Sequence, residues 1–560
     1  MLPLLLVLLA CLPPLVIDLD GRNPKHWMEG ASLATSAETW MRQEGGEAGA
    51  WLRPTLNGGL RLNKPPMLVW LNLLAWTGLE PESATPEQLM QRARLVTAGL
   101  GLVLVASIYW MGRTLGGARL GVLAALIAGT MTFFFQMQAR MASYDMHMVA
   151  WAALASAGAL HALQPFNERP SRGRAAVGWI VCGLGMGLSV LSKNPLGMVI
   201  CGLLIASVMA TDFRHILGRL GGLLAGLGIT LAVVAPWYVY HLLRDAETVL
   251  AIWSNEYSGR DSSRHGPFFY VILLRLALPW TLWVIAGLFQ PFLRAHGLER
   301  RRRLIAWLWF CLILIVFSTH TGKATRYILP ILPAMSLLAA QVFADHQALA
   351  DKGAKDRGAA LLYLPHWLAV IVVSAAFAPF LAAQRWLAAG GWLDGPGMAP
   401  IGPGTAALAT AVLLGLAVTG FLRHRRNHPM RAGVLCACWM LLVSVLYWHS
   451  YAHTAGEADR YRAEAERIAR VVGEAPLRYV GDSLAQHPDL EFLFFLRRIV
   501  PMVPPERLEH YAESVAGAAY IMADRGDRWD ELLRQGGFHV VCDFADEAGH
   551  QRRLWGRRTD

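Results

Sequence analysis

Apolar runs of about 20 residues recur from the first residues to beyond Ala432, separated by short connections rich in arginine, and this alternation leaves little choice of fold. Runs that reach or approach the length needed to cross a bilayer start near Met1, Leu95, Leu120, Met146, Ala175, Pro195, Leu220, Phe268, Leu304, Tyr327, Ala359, Gly404 and Ala432. They predict a polytopic, all-α membrane protein with about thirteen spans. The run Met67 to Leu79 is left at the interface, since thirteen residues at 1.5 Å each reach about 20 Å against a core of about 30 Å. Over 560 residues, 55% hydrophobic and 16% charged residues agree with this reading.

A net charge of +11 could suggest nucleic acid, but the basic residues sit in the connections between apolar runs, where they set membrane orientation. Nucleic acid is therefore set aside as a partner. With Met1 cytoplasmic, the inner loops carry Arg113 and Arg119; Arg169, Arg172 and Arg174; Arg214 and Arg219; Arg294 and Arg300 to Arg303; Lys352, Lys355 and Arg357; and Arg423 to Arg431. The same parity places four stretches on the outer side: 18–66, 140–145, 241–267 and 319–326. The N-terminal run lacks the basic start and small-residue cleavage site of a signal peptide, so it is expected to be an uncleaved first span. The seven cysteines have no CxxC spacing and lie mostly in apolar runs, which indicates neither a disulfide framework nor a zinc site.

The expected domains are a membrane domain over 1–449, with 18–66 as a first outer loop flanked by interfacial helices, and a C-terminal domain over 450–560. In the latter, the amphipathic stretch AGEADRYRAEAERIARVV precedes the β-like runs LRYVG, AAYIMAD and HVVCDFA, which predicts a small α/β domain outside the membrane. No solenoid repeat or long low-complexity linker interrupts the chain.

Charged residues at the outer ends of apolar helices are costly and therefore informative. Glu29 in the first outer loop is the favoured acid, although it could also be a solvated loop residue, and Asp18 and Asp20 compete with it. Asp145, a few residues after Arg140, is either an N-cap or a functional carboxylate. Lys64 precedes two prolines that hold the backbone extended, so it either snorkels to the interface or faces an anion. Glu256, Arg260, Arg264 and His265 crowd between two apolar helices, and Lys323, Arg326 and Tyr327 open another. Outer cations run against the positive-inside bias, and a local anion such as phosphate accounts for them.

The elements RPTLNGGLRLNKPPMLVWLN, ARMASYDM, LSKNP, APWY, EYSGR with HGPFFY, LPWT and KATRYILPILPA occur in the order found in polyprenyl-phosphate-sugar glycosyltransferases of the GT-C type. The chain resembles the lipid A aminoarabinose transferases and their relatives among the protein O-mannosyltransferases, over roughly residues 25–340. LEFLFFLRRIVP looks like that family's outer domain.

The resemblance implies a GT-C fold, an outer-face active site in a bacterial inner membrane and a periplasmic C-terminal domain. It also implies transfer of a sugar from a polyprenyl-phosphate donor, held by membrane lipid, to a lipid or protein acceptor. The family's first-loop acid, usually Asp followed by Glu, falls on Glu29 or one step later on Gly30, and its second falls on Asp145; these are the expected catalytic residues. Lys64, Arg140, Glu256, Arg260, His265, Lys323, Arg326 and Tyr327 are the expected substrate-binding residues. In the family, the Glu before the KP lysine can share a metal with the HGP histidine. Asn63 stands in place of that carboxylate, so His265 lacks its usual co-ligand, and a divalent metal is the one cofactor left open. Single displacement at the anomeric carbon predicts inversion, since no second carboxylate is arranged as a nucleophile. The rival is a flippase for lipid-linked sugars, but such carriers tend to show inverted repeats and broken helices at mid-membrane, which the sequence lacks.

Overall fold

The structure is a computed structural model that describes residues 2–21, 27–166, 170–219, 221–258, 265–293, 297–319, 322–353, 357–389, 398–452, 458–480, 490–508, 511, 518–545 and 551–558. Its residue contacts divide the chain into two compact units. The first comprises Met1–Leu19, Asn63–Met67 and Arg94–Ala452; the second comprises Asp20–Leu62, Leu68–Ala93 and His453–Asp560.

The first unit is helical. Among the described residues, ten helices are long and apolar enough to cross a membrane, and the count is eleven if Phe268–Leu276 and Thr281–Leu293, bent by 117°, form one span. The protein is thus a multi-pass membrane protein. The expected count of about thirteen differs for two local reasons. Leu2–Cys11 has ten residues and reaches about 15 Å, too short to cross unaided. Pro86–Gly129 is counted as one helix, yet its backbone breaks at Gly116 and Gly117, the latter at φ 86°. The chain doubles back there, so closely that a Cβ on Gly112 would lie 2.8 Å from the Cα of Gly121. Glycine is required at both ends of this contact, and the two halves correspond to the runs read at Leu95 and Leu120.

In the second unit, the helix Trp27–Glu44 is buried from Met28 to Trp40 despite its polar composition. Its hydroxyls explain this. Thr35, Ser36 and Thr39 each donate to the carbonyl four residues earlier, at 2.6–2.8 Å, so little polar demand is left for water to meet. The apolar helix Met67–Trp76 lies across it from Leu68 onward: Asn72 Nδ2 donates to Ser36 Oγ at 3.0 Å, and Trp76 meets Trp40 edge-on at 5.6 Å. With ten residues it reaches about 15 Å, short of the length that counts as a span.

The same unit contains a two-stranded hairpin, β1 (Thr55–Leu56) and β2 (Gly59–Leu60), and a five-stranded sheet. The sheet strands are β3 (Leu477–Val480), β4 (Met502–Val503), β5 (Ala518–Asp524), β6 (His539–Ala545) and β7 (Gln551–Arg558), in the order β4-β3-β5-β7-β6. The first three are parallel, and the β5-β7-β6 pairings are antiparallel. Its core gathers Val480, Ile521, Trp529, Leu533, Phe538 and Trp555. The small α/β domain expected from the sequence is present, with β4 (Met502–Val503) and β7 (QRRLWGRR) as two strands beyond the three expected.

Candidate active site

Asp145 stands in the first turn of the helix Tyr144–Leu163 and is 1% exposed. Its N-cap is Ser143, so Asp145 is not itself the cap. Instead, its Oδ1 accepts from Lys193 Nζ at 2.6 Å, and its Oδ2 lies 3.6 Å from Arg326 Nε. Among the described residues Oδ2 receives no hydrogen bond, although it is shielded from solvent. Lys193 is the residue that the sequence reading missed. It follows the helix Arg172–Ser192 and is 7% exposed, with Asn194 and Pro195 ending the apolar run behind it. Unlike Lys64, which directly precedes two prolines, Lys193 is followed by Asn194 and reads in sequence as the polar end of a span.

Arg326 and Tyr327 belong to the tight turn Thr325–Ile331, from which the helix Leu332–Asp351 departs. Two cations flank the Tyr327 ring, with Lys193 Nζ and Arg326 Cζ each 4.9 Å from its centroid. Lys323, also buried, donates to the His265 carbonyl at 3.0 Å, while the exposed His265 ring stacks on Phe269 at 4.4 Å. Asp145, Lys193, Arg326 and Tyr327 thus come together from three distant segments, while Lys323 turns to the segment of His265.

Arg140 is engaged differently. Its guanidinium donates to the carbonyls of Pro14 at 2.9 Å, Ile17 at 2.6 Å and Asp18 at 3.4 Å, and lies 4.6 Å from the Trp448 ring. Burial, and then the neighbouring Arg94, push its pKa down to about 10, so it stays cationic at neutral pH. Arg94 donates to the Leu19 carbonyl at 2.5 Å, and the Asp18 carboxylate meets His449 Nδ1 at 2.7 Å. Two buried arginines therefore hold the segment from which the chain leaves this unit.

The remaining expected residues are placed as follows. Glu29 is fully buried in the first turn of Trp27–Glu44, so it is neither in a loop nor solvated. Asp20 is exposed. Lys64 is buried at 8% exposure. The backbone of Glu256 lies in the helix Gly221–Ser258, its side chain outside the described residues; Arg260 and Arg264 lie outside them altogether. Among the described residues, no group of three or more His, Cys, Asp or Glu could hold a metal ion.

Residues 63–240, which include Lys64, Arg140, Asp145 and Lys193, match the family model described as dolichyl-phosphate-mannose-protein mannosyltransferase. Over 99% of its length the chain superposes on 97% of ArnT from Cupriavidus metallidurans, solved bound to undecaprenyl phosphate, with a TM-score of 0.71 and 20% identity. The fold is that of the GT-C membrane glycosyltransferases. Within that class the chain resembles the aminoarabinose transferases. It is 28% identical over 307 residues to undecaprenyl phosphate-alpha-4-amino-4-deoxy-L-arabinose arabinosyl transferase 1 of Sodalis glossinidius (52% of this chain, 51% of the relative). It is 29% identical over 339 residues to the corresponding transferase of Pseudomonas aeruginosa (56% of this chain, 57% of the relative). An uncharacterized protein of Aquifex aeolicus is 26% identical over 357 residues, 62% of this chain and 64% of that one. The matches thus span between about half and two thirds of the length of these relatives.

Proposed function

We propose that the protein is an integral-membrane glycosyltransferase that moves a sugar from a polyprenyl-phosphate donor to an acceptor at the outer face of a bacterial inner membrane. The carrying observation is the buried Asp145 carboxylate set against the buried Lys193 and the half-buried Arg326, both of which flank Tyr327. Ionisable groups placed together inside a membrane protein are expensive and mark functional sites. Breaking the sugar–phosphate bond builds negative charge on the departing polyprenyl phosphate, and cations already in place lower that barrier. Arg326 is assigned to this task from the cluster, with Lys64, Arg260 and Lys323 joining it on the family pattern.

Asp145 orients Lys193 and Arg326, and its Oδ2 retains acceptor capacity for a hydroxyl or ammonium group of substrate. Glu29 is assigned as general base for a hydroxyl acceptor, on its match to the family's first-loop acid and its burial at a helix start; such a base contributes typically 10²–10⁴-fold. An acceptor phosphate already ionised at neutral pH would need no base, and the acids would then orient it. Direct displacement gives inversion at the anomeric carbon. The acceptor class best matching the relatives is lipid A or another glycolipid, with protein as the other class. Residues 1–449 form the transferase domain, with the N-terminus cytoplasmic, and 450–560 a periplasmic domain.

The test incubates purified protein with radiolabelled polyprenyl-phosphate sugars and candidate acceptors, comparing wild type with Asp145→Ala and Glu29→Ala. Loss of transfer in both variants supports the assignment, and undiminished transfer in both overturns it. Movement of the lipid across vesicles without a new glycosidic linkage would instead make the protein a flippase.

A further inference from the structure

At the end of the helical unit away from Asp145, a groove of about 570 Å³ opens between the helices Arg172–Ser192 and Gly221–Ser258, beside the end of Tyr144–Leu163. It lies at the other membrane face. The helix that begins at its mouth, Arg172–Ser192, ends next to Lys193 after 21 residues, about 30 Å. The volume is within the range of ligand cavities, roughly 300–1,000 Å³.

The walls are sorted by chemistry. Small and apolar side chains, among them Ala175, Ala176, Ala225 and Ile229, line most of the groove. Trp179 packs against Gly222 so tightly that a Cβ there would lie 2.1 Å from the indole, which holds the ring in the wall. Among the described residues, the charged ones lining the groove are Arg172 and Arg219. Arg219 is anchored on the carbonyls of Leu163 and Gln164, so its charge is fixed in position, whereas Arg172 is exposed at the rim. The apolar wall continues onto the lipid-facing surface through Ile180, which is 46% exposed, with Val177 and Leu224 exposed beside it. An apolar trough that runs out to lipid and carries two cations among its described residues complements an amphiphile with an anionic head.

We propose that this groove binds an anionic phospholipid of the leaflet opposite the Asp145 cluster, with its phosphate at Arg172 and Arg219 and part of an acyl chain along Ala176, Ile180 and Ile229. The site is separate from the donor site and does not depend on the assigned transfer reaction. Its role is to hold the helix Arg172–Ser192, and through it Lys193, in register with the bilayer.

The test uses the full-length protein in detergent micelles with phosphatidylglycerol or phosphatidylcholine brominated on the acyl chain, and reads tryptophan fluorescence. The difference between wild type and Trp179→Phe isolates the Trp179 signal. The expected result is quenching of that signal by phosphatidylglycerol at about fivefold or more lower concentration than by phosphatidylcholine. In Arg172→Gln the preference falls by roughly twofold or more, and with Arg219→Gln added it approaches one. Ala176→Phe, which fills the groove one helical turn beyond Arg172 and leaves both charges in place, removes the Trp179 quenching by both lipids. Because Arg219 also holds backbone carbonyls, Arg172→Gln and Ala176→Phe decide the matter if the double variant fails to fold. Equal quenching of wild type by the two lipids, or an undiminished preference in Arg172→Gln, overturns the proposal.

Discussion

Two clusters of buried charge in the helical unit use the same kinds of residue and serve different ends. Around Tyr327, Lys193 and Arg326 face the carboxylate of Asp145. Around residues 14–19, Arg140 and Arg94 face backbone carbonyls. A carbonyl cannot leave, change protonation or be exchanged for substrate, so arginines spent on carbonyls fix the chain path. A carboxylate with an acceptor oxygen left over can take a substrate proton or ammonium group. The partner, more than the burial, separates a positioning cation from one available to chemistry.

The strongest way to break this contrast is to remove the carboxylate. Asp145→Asn is expected to lower transfer about 10²–10⁴-fold in the radiolabel assay, since it disorganises the cations that meet developing charge. It should also destabilise by about 3–5 kcal/mol by leaving Lys193 buried without its counter-charge. Adding Lys193→Met should recover much of that stability, read as thermal unfolding in detergent, while activity stays low. Recovery of both together would mean that the cluster is structural.

Arg326→Gln comes next, with an expected loss of about 10²–10³-fold in kcat and a smaller change in the donor KM, as befits a group acting on transition-state charge. Arg140→Lys sharpens the other side of the comparison. Lysine cannot span the carbonyls of Pro14, Ile17 and Asp18 as a planar fork does, so a stability loss of about 1–3 kcal/mol is expected, with the donor KM changed by less than about threefold. A donor KM raised by an order of magnitude at unchanged stability would return Arg140 to substrate binding.

The smallest effect belongs to an exposed pair in the sheet domain. A hydrogen bond from Arg553, at 2.5 Å, holds the Asp543 carboxyl below its ordinary range. The resulting stabilisation is complete above the unfolded value near 3.8 and fades as pH falls through the lower folded value. For so exposed a group it amounts to less than about 1 kcal/mol. Thermal unfolding of wild type and Asp543→Asn should differ slightly at pH 6 and converge as the pH falls below the lowered folded-state value.

Much of the architecture could be read before any coordinates. Apolar run length identified the spans, including the hairpin inside Pro86–Gly129, because hydrophobicity over 20 residues is a property of the residues themselves. Short alternating runs likewise announced three strands of the C-terminal sheet. Asp145, Arg326 and Tyr327 were singled out because charge at the end of an apolar helix is conspicuous. Lys193 was overlooked because a lysine before Asn-Pro reads equally well as the polar end of a span, and only packing shows that it turns inward. Glu29 was read into a loop for a different reason. The hydroxyls of the 27–44 helix bond to its own backbone, so a stretch with polar composition has almost nothing left for water and can be buried.

By itself, the sequence determined the membrane class, most of the spans and the charges at the ends of apolar helices, since each follows from local composition and the cost of placing charge in hydrocarbon. The tertiary structure decided the partners: which cation meets Asp145, which arginines close on carbonyls, and how far a polar helix is buried. Those outcomes depend on segments that approach one another only after the chain has folded, and residue type does not encode which neighbour a long, flexible side chain will reach.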